Sequence, residues 1–354
     1  MSGRPLRSLA SLAIACALAS CQRTKLSRIV PADHRIDVFP QSAQAQLDAL
    51  FVIDNGKFMG PHQKKIGESF HVFVDYLARN QIDFHIGLLT TDVGKSPGQF
   101  QGGGGDQHFF SSSSGEVATQ LGAAVTAFGD QGSPVSPSFQ QLDLALRNPP
   151  AGFLRPRASL FLVSVSNDDD SWSNADDLYY YRSFKQSKGA GNDALVTFSA
   201  LAGDVPNGCR IPDPQNPGQS FFSGPAPRLR DFATHSGGLF HSICDPSFDV
   251  VFDQLSATAA GLKRTFRLAR IPDQTSIAVD VSAPCDARRD TLSFCTAIDD
   301  QCGLAQPALI CTPKHGEGGW TFDAATNSIV FAETAVPPRA SLVEVEYKDS
   351  GAPP

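Results

Sequence analysis

Long basic runs, zinc-type spacings of cysteine or histidine, and apolar stretches of membrane-spanning length are all missing from this chain of 354 residues. Each absence removes a class of function. The formal net charge of −7, without a cationic patch, argues against a nucleic-acid partner, because phosphate binding needs clustered Lys and Arg. No two cysteines stand as C-x-x-C and no histidine heads an H-E-x-x-H, so the usual zinc centres are not encoded. No apolar segment approaches the ~20 residues a transmembrane helix needs. A P-loop is missing too: Gly94-Lys95-Ser96 ends like one, but Leu89 occupies the position of its first glycine. What is present is a globular composition, 41% hydrophobic and 18% charged, with 30 glycines and 25 prolines that signal many turns and long loops. The length suits one large domain with a smaller second one.

Residues 1–20 read as a signal segment. Arg4 and Arg7 form a basic start, and 9–19 is an apolar run too short to span a bilayer. Its end, Leu18-Ala19-Ser20-Cys21, resembles a bacterial lipobox. That resemblance implies lipid on Cys21 and a place in the bacterial cell envelope, anchored to the outer membrane. Several acyl chains supply lasting attachment where a single chain does not. Residues 21–45, with Pro31, Pro40 and a polar tract from Ser42, read as a tether between lipid and domain. Beyond them stand Cys209, Cys244, Cys285, Cys295, Cys302 and Cys311, an even number for which disulfides are the expectation in an oxidising compartment. Position groups Cys209 with Cys244; the last four pair among themselves in an order the sequence leaves open.

Ala49-Leu50-Phe51-Val52-Ile53 is a short apolar run of strand formers, as expected for a parallel strand covered on both faces. It runs straight into Asp54, at the strand end where open α/β sheets place their ligand sites. Further strands are expected at 83–91, 158–166, 194–202 and 238–243. Helices are expected at 66–77, 117–128, 139–146, 175–185 and 247–262, with a glycine- and serine-rich loop over 94–115. Strands separated by helices make a parallel sheet through right-handed crossovers. From Phe266 the period falls to two, at 276–281 and 341–347, and 320–323 with 327–331 flank a hairpin turn. Residues 264–350 are therefore expected to form a small antiparallel β module stapled by two disulfides.

The element order over 46–263, together with the phrases DFHIGLLTTD, FLRPRASLFLVSVSNDDD and GGLFHSICDPSFDVVFDQL, resembles the von Willebrand factor A family. The resemblance implies an α/β fold with a doubly wound, mostly parallel sheet. It also implies a site at the strand carboxyl ends that holds a hard divalent cation, usually Mg²⁺, through Asp-x-Ser-x-Ser, a threonine and a later aspartate. Here the first loop reads Asp54-Asn55-Gly56-Lys57-Phe58: the aspartate is kept and both serines are replaced. Ser133 or Ser136 stands in for the threonine. Asn167 aligns with the later aspartate, and Asp168, Asp169 and Asp170 follow. Phenylalanine cannot coordinate and Lys57 brings a positive charge, while Mg²⁺ demands near-ideal oxygen geometry.

The expectation is a non-catalytic protein, without a cofactor, that binds a protein partner through Asp54, Asn55, Gly56, Lys57, Phe58, Ser133, Ser136, Asn167, Asp168, Asp169 and Asp170. One alternative keeps a cation, Mg²⁺ or Ca²⁺, on Asp54, Ser133, Ser136 and Asp168. The run Asp168-x-Asp170 also starts like a calcium loop, although Ser173 and Tyr179 fill its glycine and glutamate positions. A weaker alternative is a serine hydrolase using Ser96, since Gly94-Lys95-Ser96-Pro97-Gly98 matches G-x-S-x-G. That motif needs a helix directly after the serine and a backbone donor where Pro97 stands. Phe109, Phe110, Phe221, Phe222, Trp172 and Tyr179-Tyr180-Tyr181 fall in or beside polar segments; they either anchor a partner or cover the sheet.

Overall fold

The computed structural model describes residues 33–41, 46–103, 108–189, 192, 195–213, 215–304 and 307–351. The signal segment with Cys21, and most of the expected tether, lie outside them. Among the described residues no helix is long and apolar enough to cross a membrane.

In chain order the first elements are β1 (His34–Pro40), β2 (Gln46–Ile53), α1 (Gly60–Arg79), β3 (Asp83–Thr90), β4 (Phe110–Ser111), α2 (Val117–Ala127), α3 (Ser138–Arg147) and β5 (Ser159–Val165). They are followed by α4 (Asp177–Gln186), β6 (Val196–Ala202), β7 (Cys209–Pro212), β8 (Ser220–Ser223), α5 (Pro227–Ser236), β9 (Phe240–Ser242) and α6 (Asp249–Ala259). The main sheet has the order β4-β3-β2-β5-β6-β9, parallel throughout except for the two-residue edge strand β4. This is the doubly wound α/β sheet the sequence implies, with β2 at its centre.

Strand periodicity divides the β2 side chains between two cores. Leu47, Ala49, Phe51 and Ile53 face α1, α2 and α6. Phe51 there meets Phe70 and Phe73 edge-on, with ring centroids 5.2 and 5.5 Å away. Leu50 and Val52 face α3, α4 and α5, where Phe139 packs against Phe198 and Phe232. Because both faces are filled, the strand's register is fixed, and so is the position at which Asp54 leaves the sheet.

The remaining strands are β10 (Thr265–Arg267), β11 (Ala278–Ala283), β12 (Cys295–Asp300), β13 (Leu309–Pro313), β14 (Trp320–Asp323), β15 (Ser328–Phe331) and β16 (Leu342–Lys348). They form a second, antiparallel unit of two sheets, β1-β16-β11-β13-β12 and β10-β15-β14. Its own core includes Val279, Val281, Phe331, Val343, Val345 and Tyr347. The hairpin of β14 and β15 has the expected strands and turn. Disulfides join Cys285 to Cys302 and Cys295 to Cys311, which resolves the order left open above, and Cys209 to Cys244 as grouped.

Two expectations need correction. Residues 21–45 are not all tether, because β1 pairs with β16 along its full length, from His34 opposite Lys348 to Pro40 opposite Leu342. The sequence hides this strand because its alternation is inverted. Ile36 and Val38 face solvent while Asp37 and Phe39 turn inward, and Asp37 is held there by the Tyr347 hydroxyl at 2.9 Å and the Ala269 N–H at 2.8 Å. The stretch between the strands ending near 202 and beginning near 238 is also not a plain loop. It folds into the β7–β8 hairpin, tied by Cys209–Cys244, and into α5.

Candidate functional site

Two strands of the main sheet, β3 and β5, are followed directly by hydroxyl residues, Thr91 and Ser166, and these converge on Asp54 with Ser136 from the loop before α3. The carboxylate is buried and accepts four hydrogen bonds. Oδ1 takes the Gly56 N–H at 2.7 Å and the Thr91 hydroxyl at 3.1 Å; Oδ2 takes the Ser136 hydroxyl at 2.5 Å and the Ser166 hydroxyl at 2.8 Å. Four donors fill the acceptor sites a carboxylate has. The sequence expectation did not include Thr91 and Ser166; the signal available for them is a hydroxyl residue directly after each of the apolar strands β3 and β5.

The first two loops close directly on each other. A side chain at Gly56 would bring its Cβ within 2.9 Å of the Ser133 carbonyl oxygen and 3.0 Å of Asp54 Oδ1. Gly132 donates to the Asn55 carbonyl at 2.7 Å, and a Cβ on Gly132 would collide with the Asn55 side chain. The space a serine at position 56 would need is thus taken up by the second loop. Asn167 donates its amide N–H to the Lys57 carbonyl at 3.0 Å, tying the third loop to the first in a way an aspartate could not. This donor set does not fit a six-oxygen cation. Gly56 and Phe58 bring no side-chain oxygen, Asn167 is turned to a backbone carbonyl, and the Asp54 oxygens are all engaged by protein donors.

The acidic run divides its labour. Asp169 accepts the Arg228 and Leu229 N–H groups, each at 3.0 Å, and so caps α5. Asp170 is fully buried and accepts the Phe139 N–H at 2.7 Å, at the start of α3, together with the Ser173 N–H and hydroxyl. Burial pushes the Asp170 carboxyl above its ordinary pKa despite these bonds and the nearby Arg228 guanidinium. Asp169 and Asp170 therefore serve as helix caps, and their carboxylate oxygens are turned to protein donors rather than arranged as a calcium loop. Asn55 is buried as well and offers no outward contact. Of the run, Asp168 is exposed, Asp169 half-buried and Asp170 buried. The Asp168 carboxyl is also raised, first by partial desolvation and then by the negative charges of Asp54 and Asp169.

The remaining expected residues do meet. Asp54, Gly56, Lys57, Phe58, Ser133, Ser136, Asn167 and Asp168 line one cleft of about 510 Å³ at the carboxyl end of the sheet. Its fourth wall is the tip of the β7–β8 hairpin, which brings Gln219 and Ser220, absent from the expected set, together with Phe221 and Phe222, two of the aromatic residues expected to anchor a partner or cover the sheet. Phe58 sits at φ 72°, a left-handed conformation costly for a bulky residue, and its exposed ring stacks on Phe221 with centroids 5.2 Å apart. Phe222 and Trp172 are exposed too, whereas Phe109, Phe110 and Tyr180 are core residues that cover the sheet. Ser96 lies outside the cleft. Among the described residues its hydroxyl contacts the Thr90 hydroxyl and the Asp92 carbonyl, neither of which is a general base for a nucleophilic serine.

No protein-family model matches the chain, and no curated protein matches it. Among solved structures it is similar to a von Willebrand factor type A protein from Catenulispora acidiphila, at 14% identity and TM-score 0.38, over 91% of this chain and 66% of that one. It is also similar to proximal thread matrix protein 1 from the mussel byssus (8% identity, TM-score 0.37, 66% of this chain and 51% of that one). A third is the pilus adhesin SpaC from Lactobacillus rhamnosus GG in its open conformation (12%, TM-score 0.36, 91% and 44%). The chain thus spans between 44% and 66% of the length of these three structures. The α/β assignment rests on the strand order and crossovers described above.

Proposed function

We propose that this is a non-catalytic, adhesion- or scaffold-type protein that grips another protein with the cleft at the carboxyl end of its sheet, and does so without a metal ion. The observation that carries the reading is the aromatic wall. Phe58 and Phe222 are 43% and 45% exposed beside a concave polar floor, the combination of anchor residues and pocket that concentrates binding energy at interfaces. Three disulfides suit an oxidising, non-cytosolic compartment. With lipid on Cys21 the molecule would present this cleft from the bacterial outer membrane.

The test is affinity capture from an envelope extract by the wild-type chain, by the Phe58→Ser/Phe222→Ser double variant, and by Trp172→Ser as an exposed aromatic outside the cleft. The expected result is a partner retained by wild type and Trp172→Ser and lost by the double variant; equal capture by all three would overturn the reading. Anchoring is checked by fractionation, where Cys21→Ser is expected to move the protein from the membrane to the soluble fraction. A cation-dependent version, with Asp54, Ser133, Ser136 and Asp168 as ligands, draws on the open Asp168 carboxylate. Calorimetric titration with Mg²⁺, Ca²⁺ and Mn²⁺ separates it, since saturable heat lost in Asp54→Asn is required by that version alone.

A further inference from the structure

The cleft holds one charge the protein does not use. The Asp168 carboxylate forms no ion pair and accepts no hydrogen bond among the described residues, while its backbone N–H is fixed on the Ser166 hydroxyl at 3.1 Å. Asp54, below it, is neutralised by hydrogen bonds and not by a cation. The aromatic wall opposite already works as a surface for cations. Lys57 Nζ lies 5.3 Å from the centre of the Phe58 ring, and the Arg210 guanidinium lies 4.7 Å from that of Phe222. Lys57 leans on the ring, and no positive charge offsets Asp54 and Asp169 at Asp168.

We propose that the cleft receives an arginine side chain from an extended segment of a protein partner, its guanidinium paired with Asp168 and its plane against the Phe58–Phe221 stack. This rests on the reading of the cleft as the partner-binding face and names the chemistry of the partner. A guanidinium suits both walls at once: its planar fork pairs with a carboxylate through two N–H groups, and its flat face stacks on a ring. An incoming carboxylate would instead meet two carboxylates, Asp54 and Asp168, against the single ammonium of Lys57 among the described lining residues. The polarity is therefore the reverse of a site in which a bound metal draws in a partner's acid.

The probes are acetyl-Gly-Gly-Arg-Gly-Gly-amide and its glutamate counterpart, titrated into the ¹⁵N-labelled chain carrying Cys21→Ser for solubility. The arginine peptide is expected to shift the amides of Gly56, Asp168 and Phe221 in a saturable manner. Asp168→Asn and Asp168→Ser should each weaken it at least about tenfold, with amide dispersion showing the fold intact, whereas Lys64→Gln, an exposed residue of α1 that does not line the cleft, should change it less than about threefold. The proposal is overturned if the arginine peptide does not bind, if it binds the Asp168 variants equally, or if the glutamate peptide binds in a Lys57-dependent way. Should the peptide fail while Phe58→Ser/Phe222→Ser still abolishes capture, only the arginine assignment falls. Should capture also survive the double variant, the partner-binding reading falls with it.

Discussion

His62, in the first turn of α1, is set to make the fold acid-labile. It is 1% exposed, and neither ring nitrogen makes a well-aligned hydrogen bond among the described residues. Burial, and next the positive charge of Lys65, lower its pKa from 6.5 to about 4; the nearby Ile243 carbonyl opposes them only partly. A base whose pKa falls on folding is protonated first in the unfolded chain. Stability is therefore whole above pH 6.5, is lost progressively as pH falls from 6.5 to about 4, and levels off below that. At 1.36 kcal/mol per pKa unit, the loss attributable to this one group is about 3 kcal/mol. The measurement is urea denaturation, with disulfides intact, of wild type and His62→Phe between pH 7.5 and 4. Other titrating groups cancel in the difference, and any packing cost of the phenylalanine is a constant offset. The stability of wild type relative to the variant should fall by about 3 kcal/mol across this range. Difference curves flat to within about 0.5 kcal/mol would refute the reasoning.

Two further outcomes follow from buried polar groups. Asp48 on β2 is fully buried and pairs with Arg155 Nε at 2.8 Å and Lys188 Nζ at 3.1 Å, so Asp48→Ala should cost about 3–5 kcal/mol of unfolding free energy, chiefly by leaving the buried Lys188 without its carboxylate while Arg155 keeps Asp83. Gly56→Ser, which restores one family serine, should lower stability by about 1–3 kcal/mol because its Cβ meets the Ser133 carbonyl, and should show no Mg²⁺ heat by calorimetry. A stabilised, Mg²⁺-binding Gly56→Ser protein would show that the loops open easily.

Much of the main sheet was legible because its strands are short apolar runs buried on both faces, a signal that does not depend on distant partners. Asp54 was legible for the same reason, since it interrupts such a run. What stayed hidden depends on contacts far apart in sequence. β1 presents Ile36 and Val38 to solvent and is recognisable only beside β16. The hairpin that carries Phe221 and Phe222 over the cleft consists of two four-residue strands held by a disulfide of sequence separation 35. Asp168, Asp169 and Asp170 look equivalent in sequence, yet two of them cap helices whose first turns lie about thirty and sixty residues away along the chain. Local pattern could not tell the capping carboxylates from the free one.

The central claim, a metal-free partner site at the aromatic cleft, is tested most directly by site-specific photo-cross-linking in envelope preparations with and without EDTA. A benzophenone amino acid placed at Phe222 is compared with one at Val250, which is also exposed but lies on α6. The account predicts one discrete cross-linked product from position 222, undiminished by EDTA, and none from position 250. Loss of the product in EDTA, or equal products from both positions, would contradict it.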